Sequence, residues 1–410
     1  MPAMSPHGAA PSLPIAGRVS RFSYAIRNIV AEANKVEAAG RPVRYLNIGD
    51  PVLFGWKTPP HLVEAVERAL RDGHNGYAPS AGIPGAREAV AAELTSRGQP
   101  LSPDRVLITA GASEGIELAL TAIADPGDEV LVPCPTYPLY TAVLAKLGAR
   151  PVYYRTLPER GFAPDLAHLS ACVTDRTRAL IVIDPNNPTG AVYPEATRRA
   201  LLDLADRRGL VVLADEVYAD LAFAGPVPPI GSLDPDGPVL SVSSLSKGYL
   251  APGWRAGWVA VGRSGRLDGL LGALKKLADG RLCSPGPAQH AIAPALSGDR
   301  SHQRGFVTAL AERAALTASS LDAAPLLTCV PPAAAFYAMP RVALPPGRTD
   351  EEFVIELVRA TGILCVHGSG FGTLPSEGYF RVVFLAPPEQ LRPIYAEICA
   401  FARAFAAAPS

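Results

Sequence analysis

Lys247 ends the run Ser241-Val-Ser-Ser244-Leu-Ser246-Lys247, and three other short patterns share its neighbourhood in the chain. Ile181-Val-Ile-Asp184-Pro-Asn186-Asn187-Pro-Thr-Gly190 is an apolar run that stops in a turn, and Val211-Val-Leu-Ala-Asp215-Glu-Val-Tyr218 is an apolar run that ends on acids. Pro252-Gly253-Trp-Arg255-Ala-Gly257 sets an arginine between glycines. Taken singly, each has a plain structural explanation: a turn, a helix cap, a solvated loop lysine, a surface arginine. Together they supply an amine, a carboxylate and a cation, which is what pyridoxal phosphate requires. Its aldehyde needs an amine for a Schiff base, its ring nitrogen needs a carboxylate to stay protonated, and its phosphate needs cations and N–H donors. On this reading Lys247 is the Schiff-base lysine, Asp215 pairs with the ring nitrogen, and Tyr218 and Asn187 hydrogen-bond the ring's phenolic oxygen. Arg255 and Ser244 hold the phosphate with the N–H groups at Ala112 and Ser113, where Gly111 lets the backbone come close.

Rival patterns exist. Gly111-Ala-Ser113-Glu-Gly115 fits G-x-S-x-G at a predicted strand-to-helix turn, and with His290, His302 and His367 downstream it leaves open a serine hydrolase acting through Ser113. Ser244-x-x-Lys247 matches the S-x-x-K of serine acylases without their companion motifs. Gly368-Ser-Gly370-Phe-Gly372 misses the spacing of a dinucleotide fingerprint and reads as a turn. The 6 cysteines are scattered, with no C-x-x-C pair, and the 7 histidines show no H-E-x-x-H, so no metal site is expected.

The elements that must position these groups follow from the 410-residue chain. With 38 basic and 38 acidic residues the net charge is zero, which removes any global attraction to nucleic acid or an anionic membrane. No apolar run approaches the roughly 18 residues that span a bilayer, and the N-terminus lacks the pattern of a secretory signal. A cytoplasmic protein is expected. Short β-branched runs (Val43–Ile48, Val106–Thr109, Glu129–Val132, Pro151–Tyr154, Ala179–Ile183, Val211–Ala214, Val239–Ser243) alternate with helical stretches, the signature of a parallel sheet covered on both faces. Beyond Pro285 the pattern changes to a long Ala-rich helix over Pro287–Leu321, strands near Ala335–Met339 and Phe380–Phe384, and a final helix over Pro388–Ala406. The expected fold is α/β: a mostly parallel, seven-stranded-type sheet between helices, with a smaller α+β domain. The expected division is a flexible tail over 1–20, a large cofactor-binding domain over 55–290, and a small domain from 21–54 and 291–410.

With N-N-P-T-G, D-E-x-Y, S-L-S-K and G-x-R-x-G in this order and spacing, the chain resembles the class I aminotransferases of fold type I, from about Tyr24 to the C-terminus. The resemblance implies the aspartate aminotransferase-like fold and pyridoxal 5'-phosphate as cofactor. It implies that Tyr137 stacks on the cofactor ring, that Arg381 binds the substrate α-carboxylate, and that Gly49 and Asn187 line the substrate. Tyr77 would reach the phosphate of a neighbouring subunit, which implies a homodimer. The segments Tyr24–Arg27, Leu46–Pro51, Arg281–Gln289 and Val366–Phe371 are similar to the alanine (glutamate-pyruvate) aminotransferase branch. That branch implies ping-pong amino transfer between alanine or glutamate and pyruvate or 2-oxoglutarate. Arg27 is then either the partner of glutamate's distal carboxylate or a helix-surface arginine. Ala334 stands where the family often has glycine before Ala335-Phe336-Tyr337, which bears on pocket shape. C–S lyase, decarboxylation or oxidation chemistry, or a specialised aminotransferase of secondary metabolism, could use the same constellation.

Overall fold

The computed structural model describes residues 13, 15–21 and 25–407, with side chains at all of these except 20, 21 and 25–28. Of the expected tail, the described part ends in a 3-10 turn, Gly17–Arg21; residues 1–12 and 14 lie outside the described residues.

An eight-stranded sheet carries the site: β1 (Val106–Ala110), β2 (Glu129–Cys134), β3 (Arg150–Leu157), β4 (Ala163–Pro164), β5 (Thr177–Ile183), β6 (Val211–Asp215), β7 (Val239–Ser244) and β8 (Ala256–Val261), in the order β1-β8-β7-β6-β5-β2-β3-β4. Six of the seven expected runs lie in this sheet; the seventh and eighth places are filled by β4, a two-residue antiparallel edge, and by β8, while the run over Val43–Ile48 pairs elsewhere. β7, β6, β5, β2 and β3 run parallel, while β8 lies antiparallel between β1 and β7. The sequence reading did not assign β8 as a strand, because its run Ala256–Val261 follows directly on the arginine motif.

The parallel strands are apolar throughout because both faces are covered. Along β5, Ile181 and Ile183 join one core with helices Gly111–Ile123, Pro138–Leu147 and Asp268–Gly280. Leu180 and Val182 join another with Leu169, Leu201 and Leu202 on helices Leu166–Ala171 and Glu195–Arg208. A separate core gathers Ile29 and Val36 of helix Ala25–Ala38, Phe306 and Leu310 of Ser301–Asp322, Phe353 and Leu357 of Asp350–Thr361, and Leu391 and Ile398 of Pro388–Ala407. These pack on a three-stranded sheet of Tyr337–Ala338, Phe380–Val383 and Val366–His367. Helix Asp350–Thr361 starts on a Thr349/Glu352 capping box and stops at Gly362, the sequence signature of a well-defined helix.

Two expectations are corrected. The single helix over Pro287–Leu321 is three helices, Gly286–Gln289, Ile292–Ser297 and Ser301–Asp322. Gly298 adopts an extended conformation, and the Asp299 carboxylate accepts from the Ser301 N–H at 2.8 Å, so the chain stops and restarts there. The strand over Val43–Ile48 shortens to Arg44–Tyr45, paired with Ile363–Leu364, after which the Leu46 carbonyl accepts from the Val383 N–H at 2.9 Å. That contact brings the segment through Gly49 beside Arg381. No helix among the described residues is long and apolar enough to cross a membrane.

Candidate active site

Strand register gathers the predicted groups at one edge of the sheet. Ile183 lies opposite Asp215, Asp215 opposite Val242, Ser244 opposite Gly257, and Ala110 opposite Ala256. The residues following these strand ends therefore converge outside the carboxyl edge, where ligands of open α/β sheets bind. A cavity of about 310 Å³ opens there, and every site residue expected from the sequence lines it except Tyr77 and Arg27. Tyr77 is 87% exposed on a loop. Arg27 belongs to helix Ala25–Ala38, and its side chain lies outside the described residues.

Asp215 is the last residue of β6 and is buried. Its Oδ2 accepts from the Tyr140 hydroxyl at 2.9 Å and its Oδ1 from the Val217 N–H at 3.3 Å. Burial pushes its carboxyl up to about 6, against the opposing pull of Tyr140, the Val217 N–H and Lys247. Tyr218, three residues on, has its hydroxyl 3.0 Å from that of Tyr337, and burial followed by Tyr337 raises its phenol well above the usual range. It is thus a neutral hydrogen-bonding group at any working pH.

Lys247 Nζ donates to the Gly49 carbonyl at 2.8 Å and sits 5.6 Å from the Phe336 ring centroid. The glycine is required by space: a Cβ at 49 would stand 2.1 Å from the Tyr337 hydroxyl. Opposite, the N-terminus of helix Gly111–Ile123 presents the N–H groups of Ala112 and Ser113, which have no partner within the helix. Gly111 has φ +76°, and a Cβ on it would meet Arg255 Nη2 at 2.2 Å. The Arg255 guanidinium, donating to the Pro252 and Ala110 carbonyls at 3.0 and 3.2 Å, is thus pressed onto the helix start, and the Ser244 hydroxyl accepts from the Ser246 N–H at 3.3 Å nearby. A helix N-terminus plus a guanidinium is an anion cradle.

Arg381 comes from the other core. It is 2% exposed, donates to Asn187 Oδ1 at 3.1 Å and to the Asn47 carbonyl at 2.8 Å, and lies over the rings of Tyr337 and Phe371 at 4.6 and 4.8 Å. These contacts fix the plane of the guanidinium, as two-point recognition of a carboxylate demands. Tyr140, Tyr337 and Asn47 were missed from the sequence. Tyr140 was given no role, and Tyr337 and Asn47 flank recognised residues but meet the site only through long-range packing.

The serine hydrolase reading fails on geometry, since no histidine lines the cavity beside Ser113. His290 stacks on His74 at 4.4 Å between ring centroids, His302 Nε2 lies 3.2 Å from the Gly248 carbonyl, and His367 Nδ1 lies 2.8 Å from Ser369 Oγ. Among the described residues no group of three or more His, Cys, Asp or Glu could hold a metal. The donor set does fit pyridoxal phosphate: a buried carboxylate held by neutral donors, an amine, an anion cradle and a buried guanidinium share one cavity.

Comparison with known proteins agrees. Residues 42–398 match the family described as aminotransferase class I and II. The alanine aminotransferase of Mycobacterium tuberculosis is 38% identical over 373 residues, covering 88% of this chain and 86% of that protein. The glutamate-pyruvate aminotransferase AlaA of Haemophilus influenzae is 34% identical over 396 residues, covering 95% and 98%. The solved alanine aminotransferase of Pyrococcus furiosus superposes with a TM-score of 0.92 at 37% identity, over 95% of this chain and all (100%) of that one. Most of the sequence and the strand-end chemistry point the same way, and the chain belongs to the class I and II aminotransferases, acting as a transaminase with pyridoxal 5'-phosphate as its cofactor.

Proposed function

We propose that this transaminase moves an amino group between alanine or glutamate and pyruvate or 2-oxoglutarate, by a ping-pong mechanism, with Lys247 as the group that moves the proton. The observation that carries the residue assignments is that Lys247, Asp215 and Arg381, from separate parts of the chain, line a single cavity. The choice of substrates rests on the names of the relatives at 34–38% identity.

Bound pyridoxal phosphate supplies a carbonyl for the amino group and a protonated ring that withdraws electrons from the substrate α-carbon. The protein's part is positioning and proton transfer. Asp215 would pair as a carboxylate with the protonated ring nitrogen, Tyr218 and Asn187 would hydrogen-bond the ring oxygen, and Tyr137 would stack on the ring. Ser244, Arg255 and the N–H groups of Ala112 and Ser113 hold the phosphate. Arg381 takes the substrate α-carboxylate, with Gly49 and Asn187 at its side. The Lys247 amine, which donates to the Gly49 carbonyl at 2.8 Å, would be the base that takes the proton from the substrate α-carbon and the acid that returns it.

The exposure of Tyr77 supports a homodimer in which it reaches the partner subunit's phosphate. Arg27 is assigned to glutamate's distal carboxylate, the protein to the cytoplasm, and the large domain to 55–290, with 21–54 and 291–410 closing over it to exclude water. A panel of amino acids against pyruvate and 2-oxoglutarate tests the reading. Fastest turnover with alanine plus 2-oxoglutarate and with glutamate plus pyruvate is expected. Release of ammonia or sulfide without a 2-oxo acid acceptor would overturn it in favour of lyase chemistry.

A further inference from the structure

Beneath the cavity, the first turn of helix Pro138–Leu147 carries Tyr140, fully buried in the core under the sheet. Its ring packs among aliphatic side chains, where phenylalanine would do as well, and a buried hydroxyl is costly unless bonded. The bond it makes is to Asp215 Oδ2, at 2.9 Å, across 75 residues of sequence. We propose that Tyr140 is a positioning residue for the transamination: its hydroxyl anchors the Asp215 carboxylate and biases the proton shared with the cofactor toward the ring nitrogen. This rests on the reading of Asp215 as the ring nitrogen's partner.

A phenol suits the task better than a cation. Burial, followed by Asp215 itself, raises the Tyr140 phenol well above its usual range, so it donates a hydrogen bond without giving up its proton. An arginine there would satisfy the carboxylate outright and leave it a poor partner for a second positive charge. A hydrogen bond to a carboxylate favours the ionised form, so losing it moves the shared proton from the ring nitrogen to Asp215 and weakens the electron sink. No proton is gained or lost overall; only its position changes.

The test uses holoenzyme loaded with pyridoxal phosphate carrying ¹⁵N in its ring. The wild-type resonance is expected near the protonated pyridinium position. In Tyr140→Phe it should move toward the unprotonated pyridine, reflecting an on-the-order-of tenfold change in the proton's distribution, with kcat lowered and KM for both substrates unchanged. Fluorinated tyrosine at 140, a stronger donor of nearly the same shape, should keep the resonance at the protonated end, so that only loss of the hydroxyl moves it; a pure packing role would leave the resonance unmoved in both variants. A protonated wild type with an unchanged Tyr140→Phe resonance overturns the role of Tyr140 while leaving Asp215's intact. An unprotonated wild type overturns the assignment of Asp215 and this inference with it.

Discussion

The central sheet buries a carboxylate at each end of its parallel strands, and the two are treated in opposite ways. Glu129, at the start of β2, is fully buried and accepts from Thr174 Oγ1 at 2.6 Å, from Arg176 at 2.9 Å and from Arg150. Thr174, then Arg176 and Arg150, hold its carboxyl below the usual range in spite of burial. Asp215, at the end of β6, is held by a phenol and a backbone N–H, and burial wins, lifting it to about 6. Where the fold supplies cations, the charge locks two strands and a loop together. Where it supplies neutral donors, the charge is left for a ligand to complete. The carboxyl edge is therefore poised for binding and the amino edge for stability, within one sheet.

The largest effect separates function from fold. If Lys247 moves the proton as proposed, Lys247→Ala should lower turnover by on the order of 10⁴-fold or more, while thermal stability stays near wild type. A parallel collapse of stability would place Lys247 with Glu129 among the structural charges.

Next comes a pair of opposite signs, read by thermal melting of the cofactor-free protein across pH. Asp215 has a folded pKa near 6, above its unfolded value of about 3.9, so its ionisation costs stability as pH rises between the two. Asp215→Asn should therefore stabilise the cofactor-free protein above pH 6, by about 1–3 kcal/mol, with the gain vanishing toward pH 4. Glu129 has a lowered folded pKa, so its contribution is present above its unfolded pKa and is lost as pH falls through the folded one. Glu129→Gln should destabilise at neutral pH by about 1–3 kcal/mol, with the loss shrinking in acid. Shifts of the same sign would erase the contrast.

The smallest effect concerns the cradle. Gly111→Ala would force a Cβ at φ +76° against the Arg255 guanidinium, so cofactor release should quicken by roughly tenfold with kcat at saturating cofactor little changed. Release is read from the decay of the cofactor absorption on dilution, and an unchanged decay would show that Arg255 and the helix start do not carry the phosphate.

How far the sequence reached follows the same division. The site groups were legible because each sits in a local pattern: Asn187, Asp215, Tyr218 and Lys247 lie within a few residues of a strand terminus whose apolar run is visible, and Arg255 stands in a glycine-flanked motif. Tyr140 was not, since it lies 75 residues from Asp215 and only the tertiary fold joins them. Tyr337 meets Tyr218 across 119 residues for the same reason. Strand β8 was hidden because its run, with Gly257 and Trp258 inside it, follows directly on the arginine motif, and it becomes a strand only by pairing with β1 and β7 on both sides. The Ala-rich stretch after Pro285 read as one helix because alanine favours helix everywhere, whereas Gly298 and the Asp299 side chain decide where it breaks.

The central claim is that one amine carries the chemistry. Holoenzyme reduced with borohydride and digested should yield the cofactor's added mass on the peptide containing Lys247, and on no other peptide. The label on Lys275, Lys276 or any other lysine would contradict the account.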